Sequence, residues 1–174
     1  MADTLRAGLK DRVPPHNNEA EQATLGSVLL DGEALERVIP IIREKDFYRA
    51  AHRKAFESII KLYDRGEAID LITLTDELRA SGNLQSCGGP GYISQLTSAV
   101  PTSANVEYYA RIVRESSIRR RLLRIAAEIT ADAQDESQEV RVIVDEAEKR
   151  IFEVGEEHAE DAIKDVKKIV TQTV

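Results

Sequence analysis

The chain has 174 residues and a net charge of -7, with 42% hydrophobic and 32% charged residues and no tryptophan. That length is enough for one packed core with an appendage, and the acidity leaves no overall field to attract phosphates, so a protein is a better first partner than nucleic acid. A lone cysteine, Cys87, excludes an internal disulfide and fits a reducing cytoplasm; with no charged-then-apolar leader and no uncharged apolar run near about 18 residues, the sequence predicts a soluble, unexported, largely helical protein.

Residues 1–13 are polar and small with little periodicity, and are expected to form a mobile tail. Pro14 and Pro15 set a stiff, extended entry. Asn18 is placed to cap a helix whose third residue, Glu21, reaches back, with Leu25, Val28 and Leu29 at helical spacing and Gly32 as the stop. Leu35, Val38, Ile39 and Ile42 repeat the spacing around Pro40, which removes a hydrogen bond to the carbonyl of Glu36 and predicts a kink or two short turns. Beyond Asp46, Phe47 and Tyr48, the residues Phe56, Ile59, Ile60 and Tyr63 make one core-facing stripe of a helix that ends at Gly66. Thr73 with Asp76 marks the next start, Leu74 and Leu78 its inner face, and Gly82 its end. Gly88, Gly89, Pro90 and Gly91 read as a turn opening a helix over 92–98; Pro101 breaks the chain, and Ser103 is placed to cap the next helix.

From 103 to 133 neither Gly nor Pro intervenes, and Ile118, Leu122, Ile125 and Ile129 form a heptad-like seam. After a polar turn over 134–138, Val140, Ile143, Ala147, Ile151 and Val154 make a matching stripe, predicting an antiparallel helical hairpin. A hairpin cannot bury all its apolar surface by folding on itself. A second copy using the same patch is therefore expected to complete a four-helix bundle in an isologous dimer. Residues 155–161 are acidic and expected to be flexible, and Ile163, Val166 and Val170, flanked by Lys164, Lys167 and Lys168, form a last amphipathic stretch expected to dock on a neighbouring subunit. The expected fold class is all-α: a tail over 1–13, a small helical head over 14–101, a hairpin over 102–155 whose copies pair into a four-helix interface, and a linker over 156–174.

Few residues carry a signal for chemistry. The glycine cluster at 88–91 lacks GxxxxGK followed by Ser or Thr, and no Gly-Lys dipeptide occurs anywhere, so no phosphate cradle is expected. His16, His52 and His158 stand alone without ligand spacing, which gives no metal site; His52, beside Arg49, Arg53 and Lys54, is expected to be solvated or capping. Cys87 is expected to be a small residue near a turn, and acidic pairs such as Asp145 with Glu146 or Glu156 with Glu157 to be solvated helix faces. Arg111, Arg114, Arg119, Arg120, Arg121 and Arg124 form one basic cluster with two readings: a track for a DNA backbone, or pairing with Glu146, Glu148 and Glu153 across the hairpin. No convergent catalytic set appears.

Several runs taken together resemble one family. Arg12, Val13, Pro14, Pro15, His16, Asn17, Asn18, Glu19, Ala20, Glu21 and Gln22, then Leu25, Gly26, Leu29, Leu30 and Asp31, resemble the opening of DnaB-type replicative DNA helicases. The likeness continues in order through Asp46, Phe47 and Tyr48 with Ala51, His52 and Arg53, through Ile69, Asp70 and Leu71 with Thr73 and Leu74, and through Gly88, Gly89 and Tyr92. It ends with Val100, Pro101 and Asn105, then Tyr109, Ala110, Arg111, Ile112 and Val113, and covers about residues 12–154; the departures are Pro40 and Asn18. The resemblance implies a bacterial cytoplasmic protein whose hairpins pair so that a hexamer's N-terminal tier is a trimer of dimers. It also implies an ATP- and Mg-dependent motor lying beyond these residues, so no catalytic activity and no cofactor is expected of the chain itself. Primase is implied as a partner, its C-terminal domain docking through positions matching Glu19, Tyr92, Leu123 and Ile129, with a helicase loader as a further partner and DNA contact weak or absent.

Overall fold

A computed structural model describes the backbone of residues 13–171 and the side chains of residues 13–156, so the tail expected over 1–13 lies outside it except for Val13. The described residues form α1 (Asn18–Leu30), α2 (Ala34–Val38), a 3-10 turn (Glu44–Asp46), α3 (Ala50–Asp64), α4 (Leu71–Ala80), α5 (Gly89–Thr97), α6 (Val106–Gln134) and α7 (Val140–Thr171), with no strand among them.

Helix α1 is the hub. It packs against α2, α3, α5 and α6, and so buries residues on nearly every side, Thr24 and Ser27 included. Asn17 caps it, not Asn18: the backbone of Asn17 is extended and its side chain accepts from the Ala20 N–H at 2.9 Å. Glu21 does not reach back to the cap, because it is turned inward and is only 1% exposed. The close approach of α5 depends on Gly26, where a Cβ would stand 2.1 Å from the carbonyl oxygen of Leu96.

Pro40 acts as expected: α2 stops at Val38 and the chain turns through Pro40, leaving Leu35, Val38 and Ile42 in the core and Ile39 exposed. Helix α3 ends at Gly66, whose φ of +67° lets its N–H reach the Tyr63 carbonyl while the Glu67 N–H reaches that of Leu62. Its inward face is His52, Ala55, Phe56, Ile59 and Leu62; Tyr63, expected in that stripe, is 40% exposed. Helix α4 opens three residues before the expected start. Asp70 accepts from the N–H groups of Ile72 and Thr73 while the Thr73 hydroxyl accepts from the Asp70 N–H, a reciprocal cap that outcompetes Thr73 with Asp76. Gly88, at φ +93°, precedes α5, so Gly89, Pro90 and Gly91 form its first turn instead of a separate one. Ser103 does not cap α6; its hydroxyl donates to Asp31 at 2.8 Å and ties the entry of α6 to the end of α1.

Val106, Ala110 and Val113 belong to the same buried cluster as Leu25, Phe47 and Phe56, so the first turns of α6 are part of the head's packing. Past Arg120 the helix leaves the head, and it pairs with α7. Helix α7 runs on through Gly155 to Thr171, without the break expected over 155–161. Ile163, Val166 and Val170 fall on this helix, but their side chains lie outside the described residues.

A Gly26→Ala substitution should therefore destabilise the chain by about 1–3 kcal/mol, because the added methyl meets backbone that cannot step aside. Gly155→Ala, in open space on a helix, should instead stabilise by about 0.5–1 kcal/mol. Urea unfolding followed by circular dichroism measures both, and a Gly26→Ala protein as stable as the parent would contradict the α1–α5 contact.

Candidate functional site

Three arrangements set what the molecule can present. The first fixes the hairpin to the head through Asp46, which is fully buried at the end of the 3-10 turn. Its carboxylate accepts from the Arg43 N–H at 2.8 Å, from the Ser117 hydroxyl at 2.7 Å and from Arg114 Nη1 at 3.2 Å. Arg120 donates to the Asp46 carbonyl and, at 2.9 Å, to that of Pro15, while its guanidinium lies over the Tyr48 ring, against which His16 stacks at 4.4 Å. Burial pushes the Arg120 guanidinium below its usual pKa, against the opposing pull of Glu21 and Asp46. Two members of the basic cluster thus serve as struts between α6 and the head, a use that neither sequence reading anticipated. Across the hairpin itself, Arg150 of α7 bonds Asp132 of α6 at 2.6 Å. Arg124 meets Glu128 on its own helix.

The second arrangement is a chain of hydrogen bonds running from the head's interior to its surface. Glu21 accepts from the N–H groups of Tyr48 and Arg49 at 2.6 and 3.3 Å and from His52 Nδ1 at 2.6 Å. His52 Nε2 stands 2.7 Å from the Tyr92 hydroxyl, whose oxygen also accepts from Gln22 Nε2 and Arg49 Nη1, each at 3.0 Å. One tautomer satisfies every partner: Nδ1 carries the proton to Glu21, and Nε2 accepts from Tyr92. His52 is therefore fully buried, not solvated as the sequence led one to expect. Its place four and seven residues before Phe56 and Ile59 was the available signal, since that spacing puts it on the apolar face. Cys87 is buried beside α3, its Sγ donating to the Ala51 carbonyl, and burial pushes the thiol pKa up.

The third arrangement is the hairpin face. At about 100° per residue, Ile143, Ala147 and Val154 lie within about 40° of one another on α7, and Val140, Val144 and Ile151 form a second stripe about 60° further round. The first stripe is covered by α6: Val154 is buried and Ile143 and Ala147 half-buried. The second is open, with Val140 75%, Val144 49% and Ile151 53% exposed. On α6 the seam divides likewise, Ile125 buried, Ile118 and Ile129 half-buried and Leu122 44% exposed. Because the helices are antiparallel, the two open edges turn to the same side and join into one apolar strip. Val144 escaped the sequence reading although it precedes Ile151 by one heptad, as did the exposed Phe152 and Val142.

The positions matched to primase docking fall in two places. Glu19 is exposed on α1, one turn before Gln22, and Tyr92 is half-buried on α5, its hydroxyl engaged from within. Leu123 is exposed and Ile129 half-buried on α6, about 9 Å apart along its axis and about 120° apart around it. Helix α5 packs on α1 and α4, and α6 on α1, α2, the 3-10 turn and α7, so α1 connects the two places. Among the described residues no group of His, Cys, Asp or Glu is placed to hold a metal ion, and no helix is long and apolar enough to cross a membrane.

An all-helical head whose last helix extends into a long antiparallel hairpin is the class of domain these features define. The chain belongs to the DnaB-like helicase N-terminal domain family, whose model matches residues 13–115. It is 49% identical over 163 residues to the replicative DNA helicase DnaB of Geobacillus stearothermophilus, covering 94% of this chain and 36% of that protein, and 43% identical over 165 residues to the replicative DNA helicase DnaC of Bacillus subtilis, covering 95% and 36%. The chain thus spans about a third of the length of these relatives. The crystal structure of the N-terminal domain of DnaB helicase from Mycobacterium tuberculosis superposes with a TM-score of 0.76 at 39% identity, covering 81% of this chain and 99% of that one. A DnaB-like replicative helicase solved for its interactions with primase shares the fold at a TM-score of 0.66 and 23% identity, over 79% of this chain and 31% of that one.

Removing the Asp46 carboxylate takes the acceptor from the Arg43 N–H and the Ser117 hydroxyl and breaks the buried ion pair with Arg114, so Asp46→Ala should cost about 3 kcal/mol or more in urea unfolding. Arg79→Ala, which breaks an exposed pair with Asp76, should change stability by less than about 1 kcal/mol. Equal effects from the two substitutions would show that Asp46 does not anchor the hairpin.

Proposed function

We propose that these residues are the non-catalytic N-terminal scaffold of a hexameric replicative DNA helicase in the bacterial cytoplasm. In this reading the hairpins pair side by side into dimers, three dimers form the N-terminal tier of the ring, and the tier receives the C-terminal domain of primase and a helicase loader. Strand separation belongs to the whole protein, driven by ATP and Mg at a motor outside this chain. The observation that carries the reading is the open strip of Leu122, Val140, Val144 and Ile151, continuous with the half-buried Ile118 and Ile129. Side chains of this kind contribute about 1.5–3 kcal/mol each when fully buried, enough together to exceed an association cost of roughly 4–15 kcal/mol only if most of the strip engages. A two-fold pair satisfies that condition because each strip meets its own copy.

The double variant Leu122→Asp with Ile151→Asp should therefore sediment as a lighter species than the parent. Its head should stay folded, because neither residue belongs to the core that joins α1, α3 and α5. An unchanged sedimentation coefficient would place the self-association surface elsewhere.

A further inference from the structure

The hydrogen-bond chain that starts at the buried Glu21 ends at the surface on one cation. Arg49 is exposed at the start of α3, and both protons of its Nη1 are engaged, one with Asn18 Oδ1 at 3.1 Å and one with the Tyr92 hydroxyl at 3.0 Å. Its guanidinium carbon also lies 5.4 Å from the centre of the Tyr92 ring. A guanidinium has five N–H groups, and the three on Nε and Nη2 meet no acceptor among the described residues. Arg65, Arg79, Arg114 and Arg150 each reach a carboxylate, whereas the Arg49 side chain reaches none. Arg53, four residues on, adds a second exposed positive charge on the same side of α3. An acidic chain therefore carries a fixed, uncompensated fork of donors at the point where α1, α3 and α5 meet.

Such a group is suited to binding because its side-chain freedom is already lost. Held by α1 and α5 and stacked on a ring, the guanidinium gives up little more entropy when a partner arrives. Its free edge, Nε and Nη2, is the one that forms two parallel bonds to a carboxylate. We propose that Arg49, clamped by Asn18 and Tyr92, recognises a carboxylate carried by a helical protein partner at the edge of the surface where primase docks; this rests on the proposed docking of primase. Glu21 and His52 then act as positioning residues, since they fix the Tyr92 hydroxyl that holds the guanidinium. Nucleic acid fits the site less well: the exposed Glu19 is adjacent to Asn18 and the chain's charge is -7, so a run of phosphates is repelled more strongly than a single carboxylate.

The test is calorimetric titration of the chain with the primase C-terminal domain from the same organism, after circular dichroism melting shows each variant to be folded. Arg49→Ala should weaken binding about tenfold and Arg49→Glu further. Arg49→Lys, which keeps the charge but not the fork, should stay weakened, and Tyr92→Phe, which keeps the ring but loses the anchoring hydroxyl, should also bind less tightly. Lys61→Glu, a charge reversal in the last turn of α3, should bind as the parent does. Exchange of one partner carboxylate for Arg should restore binding to Arg49→Glu and not to Leu123→Ala. If Leu123→Ala weakens binding while the Arg49 variants match the parent, the carboxylate site is wrong and docking stands. If the parent does not bind the primase domain at all, the docking reading fails and this site fails with it. A single-stranded oligonucleotide that binds the parent and is lost on Arg49→Glu would assign the site to nucleic acid and overturn the proposal.

Discussion

The apolar positions span about 100° of α7 and about 60° of α6, and packing the two helices together shields only part of each arc. That constraint governs the part of the molecule outside the head. The inner half of the arc closes, around Ile125 and Val154, while the outer half stays open along Leu122, Val140, Val144 and Ile151. Among the described residues the head meets α6 near its base, through Val106, Ala110 and Val113 and through Arg114, Ser117 and Arg120, and leaves Leu122 exposed. The remaining surface is one-sided and repeats by heptads, the geometry that a second hairpin of the same kind covers.

The head gives this strip a direction. Asp46, Arg114, Ser117 and Arg120 lock the base of α6 against the 3-10 turn and the proline entry, so the strip leaves the head at a fixed angle. A buried carboxylate with an Arg is a poor source of net stability compared with an apolar pair of the same volume. Its value is geometric, because it accepts a backbone N–H, a hydroxyl and a guanidinium at once, from two different elements. Glu21 plays the same part inside the head, gathering the N–H groups of Tyr48 and Arg49 and the ring of His52, and through His52 it fixes Tyr92. The two clusters share the segment from Asp46 to Arg49, so the orientation of the hairpin and that of the α5 surface are set by neighbouring residues.

Periodicity was enough to find the all-α class, the hairpin, the stops at Gly66 and Gly82 and the effect of Pro40, because these follow from local rules of spacing and backbone conformation. Helix starts were less legible. Asn17 and Asn18 are both competent caps, and Asp70 outcompetes Thr73 only once Thr73 is seen to return its hydroxyl. The polar clusters were hidden for a different reason: Glu21 pairs with His52 across 31 residues and Asp46 with Arg114 across 68, distances at which a single sequence holds no local signal. His52 was read by its basic neighbours when its place on the face of Phe56 and Ile59 was the better guide. On the hairpin the seam residues were named, but sequence alone did not separate the half that α6 and α7 cover for each other from the half they leave exposed.

Pairing through the open strip is tested most directly by single cysteines placed along α7 and oxidised in the intact protein, with the native Cys87 buried in the head. Val144→Cys and Ile151→Cys should form interchain disulfides in high yield, whereas Val142→Cys, about 180° round the helix from Ile151, should not. Crosslinking that is efficient at 142 and absent at 144 and 151 would contradict the account.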